Sequence, residues 1–214
     1  MTIILKHGDF KKVLVSIKPA SVDLLLSDPP YGNFFKHTRK KFKGFVVNGD
    51  DLNFLPSLFE AAKIWFKPSA PVILFCDYKG FSRFEAQAQQ QGFNLINVAV
   101  WDKQSWGIGY NFRPVHEFLM LFSQAKSVMA LNRNLPSILR CPRVHNKQHP
   151  VQKPVALLKQ LVENFCIEGG VVLDPCMGSG STALACKQSG RSFIGAELEQ
   201  QWYDLAKQRV KDNK

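Results

Sequence analysis

No two cysteines of this chain form a C-x-x-C pair. Cys76, Cys141, Cys166, Cys176 and Cys186 are odd in number and scattered. That argues against a zinc site or a disulfide framework, so reduced thiols and no metal are expected. Long apolar runs are also missing. None approaches the length of a membrane span, and the opening MTIILKHGDFKK has neither the leading charge nor the long apolar block of a signal peptide. A cytoplasmic protein is the expectation. Acidic residues are scarce, with 17 Asp and Glu against 28 Lys and Arg and a formal charge of +11. The excess points to a polyanionic partner, nucleic acid before membrane, since no amphipathic basic helix stands out.

What is present suits one full-sized domain. A chain of 214 residues, 45% hydrophobic, buries a proper core, and no repeat or low-complexity linker divides residues 1–214. Apolar runs alternate with amphipathic segments, the pattern of a layered α/β domain. Strands are expected over Ile3–Lys6, Val22–Ser27, Val72–Cys76, Leu95–Trp101, Glu117–Phe122, Val171–Asp174 and Phe193–Ala196, and helices near Leu52–Phe66, Gly80–Gln91, Pro154–Phe165, Ser181–Ser189 and Glu199–Lys211. Leu95–Trp101 and Glu117–Phe122 are joined by DKQSWGIGYNFRPVH, which has no helix signal. They predict an antiparallel hairpin at a sheet edge.

The stretch SDPPYG, Ser27 to Gly32, follows the apolar run VDLLL. As mere punctuation after a buried strand it needs only one proline. Two in series fix consecutive φ angles and leave a stiff segment rich in carbonyl acceptors and poor in amide donors. With the Asp28 carboxylate beside them, such a segment suits a donor with two hydrogens, for example the exocyclic amine of a nucleobase. Tyr31 adds a flat face for stacking.

A second stretch, VVLDPCMGSGSTALACKQSG followed by RSFIGAELE, reads as strand, glycine turn, helix and strand, with Glu197 at the far end. Glycines let a ligand approach the backbone, and an acid after the next strand accepts from ribose hydroxyls. Gly178-x-Gly180-x-x-Ala183 meets a loose dinucleotide fingerprint, and a plain glycine turn after a strand is the structural alternative. A P-loop is excluded, because no Lys-Ser/Thr follows the second glycine. Asp174 before the glycines would repel a pyrophosphate but attract a cationic amino group, as on the methionine part of S-adenosylmethionine.

Taken together, DPPY, HPVQKP at His149–Pro154 and DPCMGSGST resemble the DNA amino-methyltransferases that act on adenine N6 or cytosine N4, across nearly the whole chain. The motif order, catalytic before cofactor, resembles the permuted beta group. The resemblance implies a Rossmann-like methyltransferase fold with a mostly parallel sheet, S-adenosylmethionine as cofactor and double-stranded DNA as partner. By that likeness Asp28, Pro29, Pro30 and Tyr31 are catalytic. Asp174, Pro175, Cys176, Gly178, Ser179, Gly180, Ser181, Thr182 and Glu197 bind the cofactor. KHGDFKKVL adds Asp9 and Phe10 near its adenine, and HPVQKP adds Gln152 and Lys153 near its methionine end. Asp at the first motif position leans toward adenine. Cytosine N4 is the second reading, and a nicotinamide-dependent oxidoreductase or a dead DNA-binding module are the alternatives of other classes. A monomer and a homodimer are both open, as is a restriction-modification or an orphan role.

Larger members of that family carry an inserted target-recognition region, and here there is room only for loops, near 33–50 and 126–150. HTRKKFKG carries Arg39, Lys40, Lys41 and Lys43, with Lys36 just before it. From Phe118 through Val162 there is no Asp or Glu, while Arg133, Arg140, Arg143 and Lys147 fall inside. Both runs are expected to contact DNA phosphates, with Arg140 and Arg143 suited to bases because a planar fork pairs bidentately with guanine. Trp106, Tyr110 and Phe112 either face the base or DNA, or form a small apolar cluster. His116 and Glu117 read as strand, Cys176 as a small filler, and His149 has no evident partner.

Overall fold

The two central strands show why their sequences are apolar without interruption. Successive side chains of a strand leave on opposite faces. In β2 (Leu24–Ser27) and β5 (Val72–Cys76), Leu24, Leu26, Ile73 and Phe75 join one core while Leu25, Val72, Leu74 and Cys76 join the other. A sheet covered by helices on both faces needs apolar residues at every position.

The computed structural model describes residues 1–30, 35–36, 46–47, 54–107, 111–128, 130–132 and 134–213, with backbone alone at 35–36 and 46–47. In chain order the remaining elements are β1 (Ile3–His7), α1 (Phe10–Val13), β3 (Phe35–Lys36), β4 (Val46–Val47), α2 (Phe54–Trp65), α3 (Phe81–Gln90), β6 (Asn94–Asp102), β7 (His116–Ser123), β8 (Ile138–Arg140), α4 (Val155–Phe165), β9 (Val171–Asp174), α5 (Ser181–Gln188), β10 (Ser192–Glu197) and α6 (Gln200–Asp212). The main sheet runs β1-β10-β9-β2-β5-β7-β6-β8, and β3 and β4 form a separate antiparallel pair. All neighbours in the main sheet are parallel except those of β7.

Helices α1, α2 and α3 supply the core on one face and α4, α5 and α6 that on the other. Among the described residues no helix is long and apolar enough to cross a membrane.

The fold is the mostly parallel α/β sheet that the sequence predicts, with β6 and β7 as the antiparallel hairpin. The hairpin does not end the sheet, because β8 pairs parallel to β6 and takes the edge. Its three residues, Ile138, Leu139 and Arg140, are too short a run to carry a period. The single turn α1 is also absent from the sequence reading for want of length. It exists because Asp9 stands at its N-cap and accepts from Lys11 N at 3.0 Å, which fills one of the orphan donors of a helix start.

Candidate active site

Parallel pairing brings the ends of β1, β10, β9, β2, β5 and β6 to one rim. From β9 the chain leaves through α5 to β10, while from β2 it leaves through α2 to β5 on the other side. The gap between β9 and β2 is therefore the switch point at which open α/β sheets bind ligands. Asp174 ends β9 and Asp28 follows β2, so the two motifs separated by well over half the chain meet there.

A side-chain bond joins them. Ser27 Oγ donates to Asp174 Oδ1 at 2.7 Å, Thr182 Oγ1 donates to Oδ2 at 2.8 Å, and the Cys176 amide donates to Oδ1 at 3.1 Å. Asp174 is 3% exposed. Burial pushes its carboxyl up to about 6, against the pull of those three hydrogen bonds.

The glycine turn is fixed from three sides. Gly178 and Gly180 take left-handed φ angles of 50° and 75°, and a Cβ on Gly180 would stand 3.0 Å from that of Ala206 in α6. Arg209 of α6 donates through Nη1 to Ser179 O at 2.6 Å, to Ser179 Oγ at 2.7 Å and to Ser181 Oγ at 3.2 Å. At the end of β10, Glu197 Oε2 accepts from Gly178 N at 2.9 Å and Oε1 from Glu199 N at 2.8 Å. His149 lies over the turn, its Cε1 3.4 Å from where a Gly178 Cβ would be, and stacks edge-on against Trp202 at 4.5 Å.

Cys176 is half-buried, and burial, followed by the carboxylates of Asp174, Glu197, Asp28 and Asp9, pushes its thiol well above the ordinary value. A thiol so raised is a poor nucleophile. The Asp174 and Glu197 carboxylates, both bonded to amides of the turn, suit a cationic ligand.

Other expected residues fall in varied places. Phe10 turns its ring into the core, 4% exposed, edge-on to Phe54 at 5.2 Å. Pro175 is buried within the turn, and Pro29 is buried beside Asp28. Gln152 Oε1 accepts from Gln148 N at 2.9 Å and His149 N at 3.4 Å, which holds its own turn closed. The Lys153 ammonium donates to Asp28 Oδ2 and lies 3.2 Å from Glu117 Oε2. Arg140 and Arg143 are exposed, whereas Lys147 donates to the Pro150 carbonyl. Tyr31, Arg39, Lys40, Lys41, Lys43, Tyr110 and Arg133 lie outside the described residues, as does the side chain of Lys36. Trp106 and Phe112 are 68% and 97% exposed, with the Arg113 guanidinium 5.4 Å from the Trp106 ring centre, so the two described rings form no buried cluster.

Sequence reasoning missed Ser27, Arg209, Trp202, Lys103 and Glu117. For Glu117 a signal existed: a lone acid in the apolar run HEFLMLF, on a strand flanked by two others, must find a buried partner.

Residues 22–138 and 132–208 match the N6/N4 DNA methylase family. The chain is 31% identical to YubD of Escherichia coli (strain K12) over 95% of its own length and 88% of that protein's. To the type II methyltransferase M.HinfI of Haemophilus influenzae it is 27% identical, covering 97% of this chain and 68% of the other. The crystal structure of the M1.HpyAVI–SAM complex superposes with a TM-score of 0.75 at 25% identity, covering 97% of this chain and 100% of that one.

Proposed function

The chain belongs to the N6/N4 DNA methylase family, and we propose that it methylates the N6 amine of an adenine flipped out of double-stranded DNA, with S-adenosylmethionine as methyl donor. The observation that carries the reading is the joint at the switch point: Asp28 stands beside a glycine turn whose amides bond the Asp174 and Glu197 carboxylates, bound to it through Ser27 and Asp174. A nicotinamide dinucleotide would bring a pyrophosphate among those carboxylates, whereas S-adenosylmethionine brings a sulfonium and an ammonium. The chemistry it supplies is an electrophilic methyl group. Asp174, Gly178, Gly180 and Glu197 would hold it, with Asp9 toward the adenine end.

The residues of this chain act on the acceptor. Asp28 and a carbonyl of the Pro29–Pro30 segment accept the two amine hydrogens, which localises the nitrogen lone pair and aims it. Tyr31 stacks on the base and offsets part of the few kcal/mol that flipping costs. No strong base is required, since the methylated ammonium is acidic and sheds its proton readily. Cytosine N4 offers the same two hydrogens, and the family spans both; Asp28 as the first motif residue favours adenine.

Residues 1–214 act as one methyltransferase domain, with the segments near 33–50 and 126–150 on the DNA. Replacing exposed Arg140 or Arg143 should change which sites are methylated, whereas neutralising Lys40 and Lys41 together should weaken all sequences alike and lower the salt slope by about 2. Sequencing of methylated sites and titrations at several salt concentrations check this. Mass spectrometry of nucleosides from DNA incubated with the protein and labelled cofactor tests the function itself: label in N6-methyladenine supports it, label in N4-methylcytosine selects the second reading, and no label in any nucleoside rejects both.

Asp174 adds a pH prediction. Its folded-state pKa, about 6, lies above the ordinary 3.8. Ionising it therefore costs stability as pH rises from 3.8 through 6, and a cation bound beside it recovers that cost. Cofactor affinity should rise with pH between about 5 and 7, approaching tenfold per pH unit below 6. Calorimetry should find that rise blunted in Asp174→Asn.

A further inference from the structure

Beneath Asp28 lies a chain of alternating charges that the cofactor site does not use. Lys153 Nζ donates to Asp28 Oδ2 and lies 3.2 Å from Glu117 Oε2, and Lys103 Nζ lies 2.7 Å from Glu117 Oε1. Side-chain exposure is 8% for Lys153, 15% for Glu117, 18% for Asp28 and 21% for Lys103. The Lys153 ammonium also stands 5.0 Å from the Phe75 ring centre and 6.0 Å from that of Trp101. The residues come from the segment after β2, the end of β6, the start of β7 and the lead into α4, so only the folded sheet assembles them.

Burying four charges is not explained by stability. Desolvation commonly cancels the attraction, and apolar residues of similar volume would serve as well. The pairing does fix charge states. Burial works against the charged form of Lys153, yet Asp28 and Glu117 outweigh it and push its pKa up. Burial likewise opposes ionisation of Glu117, but Lys153 and Lys103 hold its carboxyl below the ordinary value.

We propose that Lys153, Glu117 and Lys103 are positioning residues for the reaction at Asp28: the Lys153 ammonium, fixed from behind by Glu117 and Lys103, orients the carboxylate and keeps it charged for the target amine. Lys153 thus belongs to the acceptor side of the crevice and not to the cofactor. Among the described residues, the groups that interact with the Asp28 carboxyl include the Lys153 ammonium, the Asp174 carboxyl and the thiols of Cys76 and Cys176. Lys153 is a cation bonded to it.

Because the inference rests on the methyl-transfer reading, its first test needs no transfer. In protein carrying 13C at the aspartate carboxyls, with the Asp28 signal assigned by its loss in Asp28→Asn, NMR should show Asp28 titrating about 1–3 pH units higher in Lys153→Met than in wild type. An unmoved titration overturns the inference even if the wild type methylates DNA. A raised titration in a protein that methylates nothing upholds the network and rejects the functional reading instead. Cofactor affinity by calorimetry should stay within about threefold of wild type in Lys153→Met; loss of affinity with Asp28 unmoved would return Lys153 to the cofactor and overturn the inference. If Lys153→Met does not fold, Lys103→Met tests the outer end of the chain. It should lower kcat about 3- to 10-fold and move the acid limb of the rate profile to higher pH, with cofactor affinity kept and Lys103→Arg restoring both. A Lys103→Met protein identical to wild type in rate and pH profile would overturn the proposal.

Discussion

Replacing Asp28 with Ala should lower methyl transfer by roughly 10²–10³-fold or more while the protein still binds S-adenosylmethionine. The separation of the two effects follows from geometry. The Asp28 carboxylate faces Lys153 and the acceptor side, whereas the glycine turn is held by Asp174, Arg209 and Glu197, none of which depends on Asp28 for its bonds. Substitution leaves the Lys153 ammonium to Glu117, so some stability is lost, and calorimetric binding of the cofactor serves as the control for folding. Asp28→Asn keeps an acceptor and the shape but loses the charge that Lys153 balances, and its rate should fall between the two. Wild-type turnover in Asp28→Ala would remove the carboxylate from the reaction. Loss of both turnover and cofactor binding in an otherwise folded protein would place Asp28 on the cofactor.

The second large effect is expected at Glu197. Its two oxygens accept from Gly178 N and Glu199 N, so it fixes the glycine turn and the start of α6 before any ligand arrives. Burial raises its carboxyl pKa and those amides pull it back. In Glu197→Ala the Gly178 amide loses this acceptor inside a half-buried turn, and on the proposed reading the ribose hydroxyls lose theirs. Charge-assisted bonds of this kind are worth about 1.5–3 kcal/mol, so cofactor affinity should drop roughly 10- to 150-fold. Glu197→Gln presents one acceptor oxygen and one NH₂, which cannot satisfy two amide donors. It should lose part of the affinity, less than Ala does. Calorimetry on the three proteins measures the order, and unchanged affinity in Glu197→Ala would remove Glu197 from the cofactor site.

Much of the fold is legible locally. β2, β5 and β9 are short apolar runs that only a doubly covered sheet can bury, and the helices α2 to α6 carry their own periodicity or begin beside proline or glycine. The motifs SDPPYG and DPCMGSGST are equally local, because a proline pair and a left-handed glycine state their backbone needs in one dimension. Elements below that threshold went unread: α1 has four residues and β8 three.

The sequence by itself determined the α/β class, the two motifs at their strand ends and the charge that seeks a polyanion, since each rests on neighbours in the chain. Tertiary structure alone decided the partners. Whether Asp174 would meet Ser27 depended on β9 pairing with β2, and whether Lys153 would meet Asp28 and Glu117 depended on β7 rising beside it, Glu117 standing 36 positions earlier by their numbers. A buried charge takes whatever opposite charge the fold places within reach, and reach in space is set by strand order, which no spacing along the chain encodes.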